Sequence, residues 1–186
     1  MDLRRSQGPG AAGAVEVDAD DKIKLFREQG LSGAELSTLA RFSAAKRYPA
    51  GTVLFHEGDS GDEMYIILEG QVMISKFIPG GGEEAVAILG RGEFFGEMSL
   101  LDGQPRSADA KAFKGPVTLI AISQPALAEV MAMEPRSAFE FIKLLCRLIC
   151  HRLHEIDEKL IGWHIVSGAS SGTQVHLEEP IKAARA

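Results

Sequence analysis

The chain reads as a mainly β protein of the α+β class: an antiparallel β-roll or jelly-roll barrel with short N-terminal helices and a long C-terminal helix. Three observations predict this. Between about Arg41 and Ser123 the sequence breaks into short alternating apolar runs separated by glycines. Before that stretch stand two short segments with helix start signals. After Pro135 apolar residues recur at alternating steps of four and three, the period of a long amphipathic helix.

In chain order, residues 1 to about 19 are Gly-, Ala- and small-polar-rich and show no period, which predicts a flexible tail. A helix is expected from Asp20 or Asp21, whose carboxylates suit the positive end of the helix dipole. Ile23, Leu25 and Phe26 supply its contacts and Gly30 stops it. Ser32 with Glu35 three residues later forms a capping box for a second helix, buried through Leu36, Leu39 and Ala40. In the strand region Val53 and Phe55 alternate with Leu54 and His56, Val72 and Ile74 with Met73 and Ser75, and Leu119 and Ala121 with Ile120 and Ile122. Gly80-Gly81-Gly82 reads as a hairpin turn, since it lacks the Lys-Ser/Thr of a nucleotide-binding P-loop. Gln124-Pro125 closes the strands and opens a helix over Ala126 to Met133. Pro135 then starts a last helix expected to reach about Ile161, before Gly162.

Composition narrows the function. A length of 186 residues suffices for one domain with a sizeable core. The formal charge of -6 disfavours nucleic acid as a partner, because nucleic-acid binders carry basic patches. No apolar run approaches the roughly 20 residues that span a bilayer, and the N-terminus has no apolar segment of a secretory signal. The expectation is a cytoplasmic protein that does not insert in a membrane. Cys146 and Cys150 lie one helical turn apart, where Cβ atoms stand about 5–6 Å from each other; a disulfide needs about 3.5–4.5 Å, so both are expected as thiols. Cys150 and His154 share a helix face, but Cys146 falls on the apolar seam, and no metal site is expected. No nucleophile elbow, Walker loop or zinc-protease pattern is present, so no catalytic residues are assigned and the chain is not expected to be an enzyme.

The most informative segment runs from Phe95 to Ala108. A Gly-initiated turn carries the carboxylate of Glu97 into a short apolar helix, Met98 to Leu101. After a second turn, Asp102 to Pro105, comes the lone guanidinium of Arg106 beside the hydroxyl of Ser107. Free N–H groups at a helix start and a planar Arg fork both suit a phosphate. A carboxylate does not, but it accepts hydrogen bonds from a sugar. Together they describe a pocket for a ribose joined to a phosphate.

Phe95-Gly96-Glu97-Met98-Ser99-Leu100-Leu101 followed by Pro105-Arg106-Ser107-Ala108 resembles the phosphate-binding cassette of cyclic nucleotide-binding domains, the family of bacterial catabolite activators and of regulatory subunits of cAMP-dependent protein kinase. Tyr48 to Phe55, Glu57 to Asp62 and Met64 to Val72 continue the resemblance, which covers roughly residues 20 to 162. It implies a cyclic nucleotide sensor that acts by binding and signals to a protein effector, with no cofactor. Ligand-binding residues would be Gly96, Glu97, Met98, Ser99, Arg106, Ser107 and Ala108, with Glu97 on the ribose hydroxyl, Arg106 on the cyclic phosphate and Ser107 on phosphate or base. Phe94 and Phe95 are expected in the core. Where activators read adenine with Thr-Ser, this chain has His154-Glu155-Ile156-Asp157. His154, Ile156, Asp157 and Trp163 are the candidate base contacts, the ligand is expected to be cAMP, and cGMP or another cyclic nucleotide is the alternative. A ligand-independent interaction module on the same fold is the competing reading.

The seam Ile142, Cys146, Ile149, Leu153, Ile156, Leu160 and Trp163 either packs inside its own subunit or meets a partner helix, while Phe141, Leu145 and Leu148 form a second stripe. The resemblance implies a homodimer through this helix. Activators of the family continue into a helix-turn-helix. Here only Trp163 to Ala186 follow, so the expected organisation is a tail over 1–19, a stand-alone binding domain over 20–162 and a C-terminal tail over 163–186, without DNA binding.

Overall fold

Two long strands organise the sheet. In a computed structural model that describes residues 12–29, 35–133 and 135–168, β4 (Glu63–Ile78) pairs antiparallel with β7 (Asp109–Ser123). Their register runs from Glu63 opposite Ser123 to Ser75 opposite Asp109, and it shifts twice, between Ile67 and Gln71. Gly70 sits at that irregularity with φ 86°, and a Cβ there would stand 2.4 Å from the carbonyl oxygen of Pro116. Only a glycine allows the two backbones to approach so closely in that conformation.

Around this pair the strand order is β1 (Gly13–Ala14), β2 (Ala44–Tyr48), β7, β4, β5 (Gly82–Leu89), with β3 (Val53–Phe55) paired to β7 and β6 (Phe94–Phe95) paired to β4. All pairings are antiparallel. Among the described residues the seven strands therefore form one antiparallel sheet whose path ends at β1 and β5, the β-roll or jelly roll that the sequence predicts. Tyr48, Phe55, Tyr65, Val72, Leu89, Phe95 and Leu119, drawn from six different strands, fill a single apolar cluster, so the sheet curls and packs against itself.

Helices flank the roll. α1 (Ala19–Glu28) starts one residue before the earliest expected position because Asp18 caps it, accepting from the Asp20 N–H. Leu25 and Phe26 are fully buried, and Ile23 is half-buried. α2 (Glu35–Phe42) buries Leu39 and Ala40; the Ser32 cap lies outside the described residues. Lys22 of α1 donates from Nζ to the carbonyls of Ala40 (3.2 Å) and Ser43 (2.7 Å), tying α1 to the C-terminal end of α2. Burial holds this lysine below its ordinary pKa. α3 (Glu97–Asp102) is short, α4 (Gln124–Met133) begins two residues before the expected start, and α5 (Pro135–Gly168) continues through Gly162. An interior glycine costs a helix about 1 kcal/mol, which a long helix tolerates.

Several strand expectations change on the roll. Gly13 and Ala14, assigned to the tail, pair with Arg47 and Lys46. Residues 1–11 and 169–186 lie outside the described residues. Val117 to Ile122 are buried without alternation, so both faces of β7 are covered there. Leu54 and Phe55 are both buried as well.

The chain divides into two compact units, Met1–Cys146 and Arg147–Ala186. In the first, Phe141 and Leu145 of α5 are buried while Ile142 is 41% exposed. In the second, Ile149, Leu153 and Ile156 are exposed. The stripe through Phe141 and Leu145 is thus the packed one, and the described heptad-seam residues, Cys146 included, lie open.

Gly70→Ala is expected to lower stability by at least about 1–3 kcal/mol, from the positive φ alone, with the Pro116 clash adding to it. Urea denaturation checks this; an unchanged midpoint would show that β4 and β7 relax at no cost.

Candidate functional site

The site forms where β6 ends. Phe95 pairs with Tyr65 of β4, and Gly96 follows with φ 75°, turning the chain into α3. Gly103, also left-handed at φ 68°, ends that helix with its N–H on the Ser99 carbonyl. Between the two glycines, Glu97, Ser99 and Leu100 turn inward, whereas Met98 and Leu101 are about half exposed. Glu97 is only 3% exposed, which is unusual for a carboxylate and characteristic of a functional or tightly bonded one.

Arg106 is the second buried charge, 5% exposed. Nη1 donates to the Gly96 carbonyl and Nη2 to the Glu63 carbonyl, each at 2.8 Å. The last β4–β6 pairing is Tyr65 with Phe95, so the guanidinium spans the two strands just beyond it, in the place of a further ladder rung. Its Cζ lies 4.3 Å from the centroid of the Phe55 ring. Phe55, Tyr65 and Phe95 are mutually packed, with centroids 5.1 to 6.3 Å apart. Arg106 Nε is buried and has no hydrogen-bond partner among the described residues.

Two glycines frame this guanidinium. A Cβ on Gly61 would stand 2.2 Å from Nε, and one on Gly96 would stand 2.6 Å from Nη1. The main chain is fixed too: the Arg106 N–H donates to Asp59 O (2.8 Å) and its carbonyl accepts from Gly58 N–H (2.9 Å). The Glu57 N–H donates to Asp109 Oδ1 at 2.6 Å. The loop after β3 is thereby stitched to the segment that carries Arg106. Ser107 is exposed, its Oγ 3.7 Å from Met98 Sδ, and Ala108 is buried.

This arrangement has counterparts among known proteins. Residues 45–134 match the model of the cyclic nucleotide-binding domain. The cyclic AMP receptor protein of Thermus thermophilus is 36% identical over 131 residues, 70% of this chain and 58% of that protein. The regulatory subunit of cAMP-dependent protein kinase from Mycosarcoma maydis is 38% identical over 90 residues, 48% of this chain and 17% of that one. Residues 45–134 belong to the cyclic nucleotide-binding domain family. The crystal structure of a cyclic nucleotide-binding domain from Methylobacillus flagellatus aligns with a TM-score of 0.71 at 28% identity, covering 88% of this chain and 86% of that one. The Thermus thermophilus catabolite activator protein aligns with a TM-score of 0.61 at 34% identity, covering 73% and 61%. The chain spans little more than half the length of the first curated relatives it matches, at 58% and 53%.

Within this cyclic nucleotide-binding domain, Arg106 is bonded to the Gly96 carbonyl, Glu97, Ser99 and Ala108 are buried, and Met98 and Ser107 are exposed and meet through Sδ and Oγ. Phe94 and Phe95 are core residues. His154, Ile156 and Asp157 are exposed on the part of α5 that belongs to the second unit, and the Trp163 side chain lies outside the described residues. A cavity of about 470 Å³ between the 58–62 loop, the turn at 103–105 and Gln124 borders the cassette at Ser99 and Pro105 but is not lined by Glu97, Arg106 or Ser107. Among the described residues no cluster of His, Cys, Asp and Glu suits a metal, and no helix is long and apolar enough to cross a membrane.

Sequence reasoning missed the residues around the guanidinium. Gly61 reads as one more turn glycine, yet it lies outside the left-handed region and its lack of a Cβ is what matters. Phe55 and Tyr65 read as strand core. Glu63 enters through a main-chain carbonyl, which leaves no trace in residue identity.

The Tyr65 hydroxyl donates to Glu63 Oε2 at 2.9 Å. Burial first, then the Glu63 charge and this hydrogen bond, hold the phenol well above its ordinary pKa, and burial raises Tyr48 likewise. A folded pKa above the unfolded one contributes stability that is complete below about pH 10 and is lost as pH rises past it. Tyr65→Phe is therefore expected to flatten the alkaline decline in unfolding free energy, by up to about 1.4 kcal/mol per pH unit above pH 10. Urea titrations between pH 9 and 11 measure that slope, and parallel curves for both proteins would refute the assignment.

Proposed function

We propose that the domain is a cyclic nucleotide receptor, with cAMP as its ligand, that acts by binding alone. The observation that carries this reading is the burial of two opposite charges on one cassette: the Glu97 carboxylate next in sequence to Gly96, and the Arg106 guanidinium with Nε unpartnered among the described residues. The cyclic phosphate would take N–H groups of Arg106 together with main-chain N–H groups of the first α3 turn. Glu97 would accept from the ribose 2′-hydroxyl, and Ser107 would lie at phosphate or base. His154, Ile156, Asp157 and Trp163 are the candidates to face the base. cGMP is the alternative ligand. Relatives named for cAMP support the choice: the cyclic AMP receptor protein of Thermus thermophilus and the cAMP-activated regulator of Mycobacterium tuberculosis.

Signalling requires that the nucleotide bind two conformations unequally. The proposed output is a change in α5 that a protein effector in the cytoplasm reads, with a homodimer formed along the open seam of Ile142, Cys146, Ile149, Leu153 and Ile156. The acidic charge makes nucleic acid an unfavourable partner. Sedimentation equilibrium is expected to give a dimer that Leu153→Glu dissociates; a concentration-independent monomer would remove the seam from this scheme.

A second reading has its own support. Arg106 already bonds two carbonyls of its own chain, so it is suited to hold an interaction module together with no ligand. Calorimetric titration with cAMP and cGMP separates the two readings. A receptor is expected to bind one of them at micromolar or tighter affinity, and Arg106→Lys, which keeps the charge but loses the fork, to cost about 1.5–3 kcal/mol. Chromatography after incubation is expected to return the nucleotide unchanged. No heat with either nucleotide, from a folded chain, would leave the interaction module.

A further inference from the structure

The Glu63 residue that receives Arg106 on its carbonyl is itself held by its carboxylate. Oε1 accepts from Lys46 Nζ at 2.8 Å, and Oε2 accepts from the Tyr65 hydroxyl at 2.9 Å. These three side chains come from both sides of the sheet's central strand. Lys46 stands on β2, Glu63 and Tyr65 on β4, and β7 runs between β2 and β4, so the ammonium reaches across β7 to the carboxylate. Both ends of the Lys46–Glu63 pair are about one quarter exposed, which shields it from solvent more than a surface pair. The Lys46 ammonium also lies 5.9 Å from the Tyr65 ring centroid.

Glu63 is where such a clamp has most effect. It is the first residue of β4, next to the loop that carries Gly61, and strand ends fray unless something ties them. On the β7 side it pairs with Ser123. On the other side β6 reaches only as far as the Tyr65–Phe95 pair, and the Glu63 carbonyl is met there by Arg106 Nη2. Tyr65 joins the two halves: its backbone pairs with Phe95, the residue before Gly96, and its hydroxyl holds the Glu63 carboxylate. Both carbonyls that seat the guanidinium are therefore referred to Tyr65, one through its main chain and one through its side chain.

We propose that Lys46, Glu63 and Tyr65 form a positioning relay for the anion site, setting the carbonyl that aims Arg106 and so the affinity for the phosphate of the ligand. None of the three touches the ligand; they act through Arg106. The inference rests on the receptor reading, since it needs an anion that Arg106 captures.

The test is a double-mutant cycle on the full chain, read by calorimetric titration with cAMP, or with cGMP should that be the ligand. Tyr65→Phe and Lys46→Met are each expected to weaken binding about three- to tenfold, the equivalent of one displaced hydrogen bond. In an Arg106→Lys background, where the fork is gone, the same substitutions are expected to change affinity less than twofold. An NMR readout accompanies it: the Arg106 Nε–H resonance of the unliganded chain is expected to shift or broaden in both variants, which a loss of stability elsewhere in the roll would not cause. Equal losses in both backgrounds, with that resonance unmoved, would overturn the relay and leave the receptor standing. Absence of any nucleotide binding by the unsubstituted chain would overturn both.

Discussion

A guanidinium taken out of water governs the architecture of the site. Burying an unpaired charge is prohibitive, so Arg106 can lie at 5% exposure only because carbonyl oxygens and an aromatic ring replace its hydration. Those carbonyls belong to the ends of β4 and β6, so satisfying the charge also joins the two strands where their own ladder stops. The loop after β3 must pass close enough for Gly61 to lie against Nε, and its main chain is bonded to Arg106 on both sides. Roll, loop and cassette are thus positioned by one side chain with a rigid, planar set of donors.

What could be read from the sequence, and what could not, follows from how each contact is made. The cassette was legible because it is local: Gly96, Glu97 and Arg106 lie on one short, continuous segment of the sequence, and their types carry their chemistry. The heptad spacing on α5 was legible for the same reason, and so was the existence of two candidate stripes; only packing could decide that Phe141 and Leu145 are the covered pair. By contrast, Lys46, Glu63 and Arg106 are brought together by strand pairing across the sheet, and the decisive group on Glu63 is a carbonyl that every residue possesses. Strand β1 was hidden because two residues, Gly13 with no side chain and Ala14 with a single methyl group, are too few and too small to show a period. The alternation at Leu119 to Ile122 failed because both faces of β7 are covered there.

The first unit therefore combines two kinds of stability. Its apolar cluster gathers side chains from six strands and needs no direction, whereas the site depends on directed hydrogen bonds. The two meet at Phe55, Tyr65 and Phe95, which belong to the cluster and also support the guanidinium or its anchors. A substitution among these three aromatics acts on folding and on the site together, while one at Lys46 or Glu63 acts mainly on geometry.

Gly61 and Gly96 have a consequence for descent. Each occupies space that any side chain would contest with the Arg106 guanidinium, so neither can drift while that arginine keeps its seat. A lineage that lost the arginine would release Gly61 from this restraint, while Gly96 would still be held by its left-handed backbone. Position 61 therefore serves as a historical record. Among descendants of this chain, a glycine at 61 is expected wherever the buried arginine keeps its place, and a bulky residue only where that arginine has been lost or moved.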